Sequence, residues 1–413
     1  MDSEEGRELF LIIGAGAAGN AAAETLRRDG FQGQIIMMTR EICLPYDRTK
    51  LSKSYLKSDR PTPPILRSEE FYNENNIEVR TGCEVINVDV SSKTVICYDG
   101  SELSFDKLLV ATGGAPRCLT IPGFNLQNIF TLRYLDDADR IRIAAEGLSR
   151  AVVIGASFIA MELAATLSEL GLSVTVVALE SVPFEHNLGV EIGYVFQELH
   201  EENGVSFRLG AEVTHFEGNG RVQKAVLKDG EVLETDIVLQ GIGTKPATNF
   251  LTGVELDPNG SVTVDKHLRV MEDIYAAGDI ANFVDWRTGE HIRAGHWRLA
   301  AEQGRVAAHN MVGKEEEFRS ISLFWTTQFD FSLLYVGHVT DWDEIIFHGD
   351  LSQRDFAAFY VKHNKVLAAA GGGDSFKTSD VFKLMSIDKM PTPDQLRNGP
   401  IDLAQWSKSG SVA

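Results

Sequence analysis

The chain has 413 residues, 44% of them hydrophobic and 24% charged, with a formal net charge of −20. That length suits about three domains, each able to bury its own core. The charge argues against nucleic acid or an anionic membrane surface as a general partner, because phosphate binding needs clustered cations. No apolar run is long enough to cross a bilayer, so no membrane span is expected.

Met1–Arg7 is acidic and lacks the apolar segment of a signal peptide, so the fold is expected to begin almost at once. Five apolar residues, Leu9 to Ile13, then suit a strand buried on both faces of a parallel sheet. Gly14-Ala-Gly16-Ala17-Ala18-Gly19 follows, and an alanine-rich run to Arg28 favours helix. Gly14 permits the tight turn, Gly16 lets a pyrophosphate approach the backbone, and Gly19 lets helix and strand pack closely. Free N–H groups at the helix start would hold the phosphates. A glycine triplet alone marks only a tight turn. Here strand, glycines and helix come in the required order, with a second strand at Gln34–Met38, and the pattern predicts dinucleotide binding.

The stretch 39–53 is rich in charge and carries Pro45, so a loop leading into a short helix is expected. Glu41 stands near the place of the acid that holds a ribose hydroxyl, with Arg40 before it; a solvated charge pair is the plainer reading. Residues 78–88, including Val85, and 93–100 read as strands joined by turns. The strand at 107–110 runs into Ala111-Thr112-Gly113-Gly114, small residues that allow a second contact to the same nucleotide.

The unit then repeats. Residues 150–154 form a buried-type strand, Gly155-Ala156-Ser157-Phe158-Ile159-Ala160 the turn, Met161 to Leu170 a helix, and 173–177 the next strand. Ser157 and Ala160 replace the second and third glycines, Ala178 stands where an NAD-type site would place an acid, and Glu180 lies two residues on. A second dinucleotide site is the expectation, against a purely structural lobe. Asp236–Gln240 followed by Gly241-Ile242-Gly243 closes that lobe, and Ala276-Ala277-Gly278-Asp279 returns the chain to the first nucleotide. A helix follows from His296-Trp297. From about Phe318 the segments at 323–329, 343–348 and 355–361 are aromatic and strand-like, with a helix at 379–385, and an oligomerisation lobe is expected there.

The cysteines Cys43, Cys83, Cys97 and Cys118 are isolated in sequence, with no Cys-x-x-Cys and no histidine at ligand spacing. No metal site is expected, and reduced thiols in an intracellular, cytoplasmic setting are the simplest reading.

Two nucleotide units, with Ala-Thr-Gly-Gly between them and Ala-Ala-Gly-Asp after, resemble the two-dinucleotide flavoproteins: the pyridine-nucleotide:disulfide oxidoreductases and ferredoxin reductases. The loop Leu44-Pro-Tyr-Asp-Arg48-Thr-Lys-Leu-Ser-Lys53, with His296-Trp297 through Ala308 and Phe324-Trp325, resembles the branch of the apoptosis-inducing factors and of the reductases serving Rieske dioxygenases. Within it the look is nearest to the Rieske-bearing apoptosis-inducing factor, with the Rieske domain expected to be missing.

The resemblance implies an α/β fold of two Rossmann-like domains and a C-terminal α+β domain. FAD would lie on 1–119 and 246–318, NADH or NADPH on 120–245, and 319–413 would help to form a homodimer. It implies Lys53 near flavin N5, paired with Glu162, as the catalytic pair. Arg48 would contact the phosphate or ribose region, Asp279 the ribityl chain and Trp297 the pyrimidine edge, with Trp325 beside the flavin. Val85 and His296 join the implied FAD contacts. Thr327 departs from the branch, where Asp is frequent.

The implied activity is hydride transfer from NAD(P)H to FAD, then electron transfer to a ferredoxin, a Rieske-type iron–sulfur protein or a small acceptor. Arg48, Lys50, Lys53, Lys57 and Arg60 could form the basic patch that docking of an acidic ferredoxin needs. Two rivals stand beside it: a disulfide or peroxide reductase using Cys43, and an NADH-responsive signalling flavoprotein.

Overall fold

The computed structural model describes residues 8–409; the acidic start, Met1–Arg7, lies outside the described residues. The chain packs as two compact α/β units, each assembled from separate stretches.

The first unit comprises the chain up to Arg48, Pro63–Ala115 and Lys245–Ser322. Leu9–Ile13 is buried along its whole length and forms the middle of a six-stranded sheet. Gln34–Met38 and then Ile77–Arg80 lie on one side of it, and Lys107–Val110, Ile274–Ala276 and Arg269–Met271 on the other. All pairings are parallel except the last, where Arg269–Met271 runs antiparallel. Parallel strands covered on both faces must be apolar throughout, which is why the sequence shows runs rather than alternation.

Helix Ala17–Arg28 lies against helix Trp297–Met311. A Cβ on Gly304 would fall 2.0 Å from the Ala18 carbonyl oxygen, so only glycine permits this approach. The return segment after Ile274 is thereby fixed to the helix that begins the fold. A smaller sheet carries Leu251–Thr252, Val85–Asp89, Thr94–Cys97 and Glu102–Ser104.

The second unit comprises Thr49–Thr62, Pro116–Thr244 and the chain from Leu323 onward. Its parallel sheet runs Ser206–Leu209, Ser173–Ala178, Arg150–Ile154, Ile237–Gln240, Ile129–Thr131. A five-stranded antiparallel sheet follows, in the order Leu323–Gln328, Phe331–Gly337, Lys365–Gly372, Asp355–Lys362, Glu344–Asp350. Helix Thr378–Ser386 packs on it.

Two strands of that sheet, Phe331–Gly337 and Lys365–Gly372, escaped the sequence reading, because Leu-Leu and Ala-Ala-Ala-Gly-Gly show no alternation. The second helix also begins earlier than expected. It spans Phe158–Glu169, with Ser157 as its N-cap, so Phe158 to Ala160 are first-turn residues and not part of the turn. The Ser157 hydroxyl accepts from the Ala160 N–H, which lets the helix start one residue after the cap. Among the described residues no helix is long and apolar enough to cross a membrane.

Candidate nucleotide sites and a buried carboxylate

In the first unit, Gly14 has φ +106° and a Cβ there would meet the Ala111 carbonyl oxygen at 2.2 Å. A Cβ on Gly19 would lie 1.8 Å from the Gly14 oxygen, whereas one on Gly16 meets nothing within 4 Å. Two glycines are therefore required by packing, and the middle one leaves space. Gly16 caps helix Ala17–Arg28 with no side chain bonded to the helix start and no acid in its first turn. Ala17 and Ala18 are the first helical residues. Open N–H groups at the positive end of a helix are an anion site.

A cleft beside this turn is lined by Ala15, Gly16, Thr39, Glu41, Cys43, Leu44, Pro45, Tyr46 and Arg48. Glu41 accepts from Tyr46 Oη at 2.6 Å and pairs with Arg48 at 2.8 Å, with the Arg48 guanidinium 5.1 Å from the Tyr46 ring centre. The structure thus joins two residues that the sequence reading treated separately, through a tyrosine it had not singled out. Arg40 is exposed, and Val85 is half-buried opposite Cys97.

Farther along the sheet edge, Ala111 is buried and the Thr112 hydroxyl donates to the Ala247 carbonyl at 2.7 Å, while the Gly113 carbonyl accepts from the Ala247 N–H. Gly278 has φ +83°, and its N–H donates to Gln303 Oε1 at 2.7 Å. Asp279, half-buried, has Gly295 beside it, where a Cβ would stand 3.2 Å from Oδ1. His296 caps helix Trp297–Met311 and Trp297 opens it. Gln303 and Gly295 were missed in the sequence, since a glutamine inside a helix carries no local signal.

In the second unit Gly155 has φ +101°, and its Cβ would lie 2.6 Å from the Gly241 oxygen. A Cβ on Gly241 would lie 2.6 Å from that of Ala160, and the Ser157 hydroxyl donates to the Gly241 carbonyl at 2.6 Å. Close packing here is shared with Gly241, which is why Ala160 is tolerated in the first turn of the helix. Ile242 approaches the Gly155 position and Gly243 has φ +90°. Ala156 is buried, Ile159 is 42% exposed, and the Glu180 carbonyl accepts from the Gly210 N–H. Phe158 stacks on Phe184, ring centres 4.7 Å apart, and meets Phe324 edge-on.

Glu162 lies on the second turn of this helix, 5% exposed. It accepts from Ser52 Oγ at 2.5 Å, Lys53 Nζ at 2.6 Å and Thr326 Oγ1 at 2.8 Å. Gln328 Nε2 donates to Thr326 in turn, and the Thr166 hydroxyl donates to the Ser52 carbonyl. A buried charge needs this many donors, because each unmet lone pair would carry its full desolvation cost. Lys53 interrupts the short helical stretch Leu51–Tyr55 (φ −123°, ψ −107°). Trp325, beside Thr326 on its strand, is 44% exposed.

Two contacts add to the expectations. The cysteines are not isolated in space, since the sulfurs of Cys83 and Cys97 lie 3.1 Å apart. The five-cation patch is largely neutralised: Arg48 pairs with Glu41, Lys53 with Glu162, and Lys57 with Glu169 at 2.9 Å. Neither fact leaves a trace in sequence spacing.

Comparison with known proteins matches residues 10–304 to the pyridine nucleotide-disulphide oxidoreductase family and residues 323–407 to the reductase C-terminal family. The chain is 42% identical over 365 residues to mouse apoptosis-inducing factor 3, covering 87% of this chain and 60% of that protein's length. It is 34% identical to the ferredoxin–NAD(+) reductase component of the 3-phenylpropionate/cinnamic acid dioxygenase of Photorhabdus laumondii, covering 88% of this chain and 92% of that one. The crystal structure of a ferredoxin reductase from Rhodopseudomonas palustris matches with a TM-score of 0.91 and 31% identity, over 97% of this chain and all of that one.

Proposed function

Because the chain belongs to the pyridine nucleotide-disulphide oxidoreductase family, we propose that it is an FAD-dependent NAD(P)H oxidoreductase delivering electrons to a ferredoxin-type iron–sulfur protein. The observation that carries this reading is the doubled turn: each unit has a parallel sheet, a left-handed glycine at a strand end and a helix start free of acids. The ferredoxin reductases of Photorhabdus and Rhodopseudomonas, each matched over nine-tenths or more of its own length, support the class of acceptor.

The residues present fit the two nucleotides. In the first unit the space at Gly16 and the open helix start suit a diphosphate, Glu41 held by Tyr46 and Arg48 suits a ribose hydroxyl, and Asp279 suits a polyol. In this proposal FAD occupies 1–119 with 246–318, the nicotinamide dinucleotide occupies 120–245, and 319–413 is a C-terminal lobe. FAD, when bound, supplies the step from a two-electron hydride donor to a one-electron acceptor. The chain supplies position and field. Lys53, oriented by Glu162, would supply a fixed cation to the flavin in this proposal, and Ser52 and Thr326 donate to the same Glu162 carboxylate and fix its position. A cation that is oriented beforehand need not reorganise during reaction.

Cys43 lines the cleft on the glycine-turn side, where the diphosphate is proposed to lie, so it is not the redox centre of this proposal. Replacing it with serine should leave turnover unchanged. Four cysteines with no disulfide among them support an intracellular, cytoplasmic setting.

The test is anaerobic titration of the yellow chain with NADH and NADPH in turn, followed by addition of a ferredoxin. Stoichiometric bleaching and rapid return of colour on addition of the acceptor are expected. Protein that purifies without flavin and takes none up, or that bleaches but passes no electrons to any iron–sulfur protein, would overturn the proposal.

A further inference from the structure

Two cysteine sulfurs meet in the first unit, on a segment tied through its backbone to the Thr39–Glu41 loop. Cys97 ends the strand Thr94–Cys97 and is 2% exposed, while Cys83, just before Val85–Asp89, is half-buried. Fourteen positions separate them, and their sulfurs stand 3.1 Å apart in a thiol–thiol contact. The main chain on both sides is already fixed. The Cys83 N–H donates to the Thr39 carbonyl at 2.9 Å, the Cys97 N–H to the Ser101 carbonyl at 2.9 Å and the Tyr98 N–H to the Glu84 carbonyl at 2.8 Å. A disulfide bond is about 2.05 Å long, so closing the contact needs a movement of about 1 Å, within reach of side-chain rotation.

We propose that Cys83 and Cys97 form a dithiol site that a low-molecular-weight disulfide oxidises to an intramolecular disulfide. Cys83, the more exposed sulfur, loses its proton and attacks one sulfur of the small disulfide, forming a mixed disulfide and releasing one small thiol. Cys97 then loses its proton and attacks the Cys83 sulfur, releasing the second. Two protein thiols are oxidised, one small disulfide is reduced to two thiols, and the two protons end on the released thiolates. Burial first, then the hydrogen bond to Cys97 and the Asp99 carboxylate, push the Cys83 thiol up to about 12, against the pull of Arg80. Cys83 therefore rests as a thiol and answers to sustained oxidant, not to a brief pulse.

The site borders the proposed flavin cleft through the backbone. Besides the Cys83–Thr39 bond, the Gly82 N–H donates to the Glu41 carbonyl at 2.9 Å. A cross-link at Cys83 would pin the segment to which the Thr39–Glu41 loop is tied.

The test uses the full chain with its flavin, incubated with glutathione disulfide, then alkylated and mapped by mass spectrometry without reduction. Exposed Cys118 serves as the internal monitor of oxidant, because it should take up glutathione. The expected result is a linked Cys83–Cys97 peptide pair lighter by two hydrogens, restored by dithiothreitol, with a higher unfolding midpoint in the linked form. In Cys97→Ser the reaction should stop at a glutathionylated Cys83. Glutathione on Cys118 with both inner cysteines still alkylatable would overturn the proposal, as would linkage of either one to Cys43 or Cys118. These readouts do not depend on turnover, so they stand apart from the test of the oxidoreductase reading.

Discussion

At the scale of single residues, the glycine turn separates packing from binding. Gly19→Ala drives a methyl into the Gly14 carbonyl, so the chain must shift or lose stability, by about 1–3 kcal/mol for an overpacked site. Gly16→Ala meets no protein atom and should leave the urea midpoint near that of the parent. The same methyl would stand where a diphosphate is proposed to approach, so flavin content should fall sharply. Equal loss of stability in both variants would contradict this division. Glu162 offers a second residue-scale expectation. Thr326→Val keeps the shape of the side chain but removes a hydroxyl that donates to a buried carboxylate, at a cost of about 1–3 kcal/mol in denaturant unfolding. In a Glu162→Gln background the same change should cost less, because the neutral amide needs the donor less; strict additivity would count against the coupling.

At the scale of elements, one carboxylate joins two helices. Asp29 is the C-cap of Ala17–Arg28, and it receives Lys314 Nζ at 2.7 Å and His309 Nδ1 at 2.5 Å from the end of Trp297–Met311 and the turn beyond. Burial alone would raise the Asp29 carboxyl, but hydrogen bonds and charge from Lys314 and His309 outweigh it and hold the group below the usual carboxylate range. A folded-state pKa below the unfolded one gives stability that is present above the unfolded value, about 3.9, and is lost as pH falls through the folded one. The stability gap between the parent and Asp29→Asn should therefore shrink as pH falls below about 4, read from urea midpoints across pH. A gap that stays constant to pH 3 would mean that Asp29 acts by shape alone. The same two helices show what a sequence can disclose. Leu9–Ile13, the glycines and the helix after them were legible because local rules of burial, left-handed φ and helix propensity all agree over twenty residues. The ties Asp29–His309, Gln303–Gly278 and Cys83–Cys97 were not, because each joins residues whose nearness exists only after the sheet has formed. The glycine-poor second turn was legible in type but not in register: Ser157 reads as a lost glycine, whereas in the fold it is a cap that also grips Gly241.

At the scale of the whole molecule, charge would govern how the proposed acceptor arrives. The chain carries −20, and three of the five cations considered for docking, Arg48, Lys53 and Lys57, are already matched by carboxylates within their own units. An acidic ferredoxin, the acceptor class proposed above, would therefore approach against a repulsive field, screened over about 10 Å at 0.1 M salt and about 30 Å at 0.01 M. Raising salt from about 10 mM to about 100 mM should increase the second-order rate of electron delivery to an acidic iron–sulfur protein, the reverse of the usual steering behaviour. Delivery to an uncharged quinone should be flat over the same range, because no field acts on it. Stopped-flow reoxidation against both acceptors separates encounter from chemistry, since bleaching by a fixed saturating dose of nicotinamide provides the internal reference. A ferredoxin rate that falls from the lowest salt upward would mean that unmatched cations, with Lys50 and Arg60 the first to replace, gather into an attractive patch strong enough to overcome the net charge.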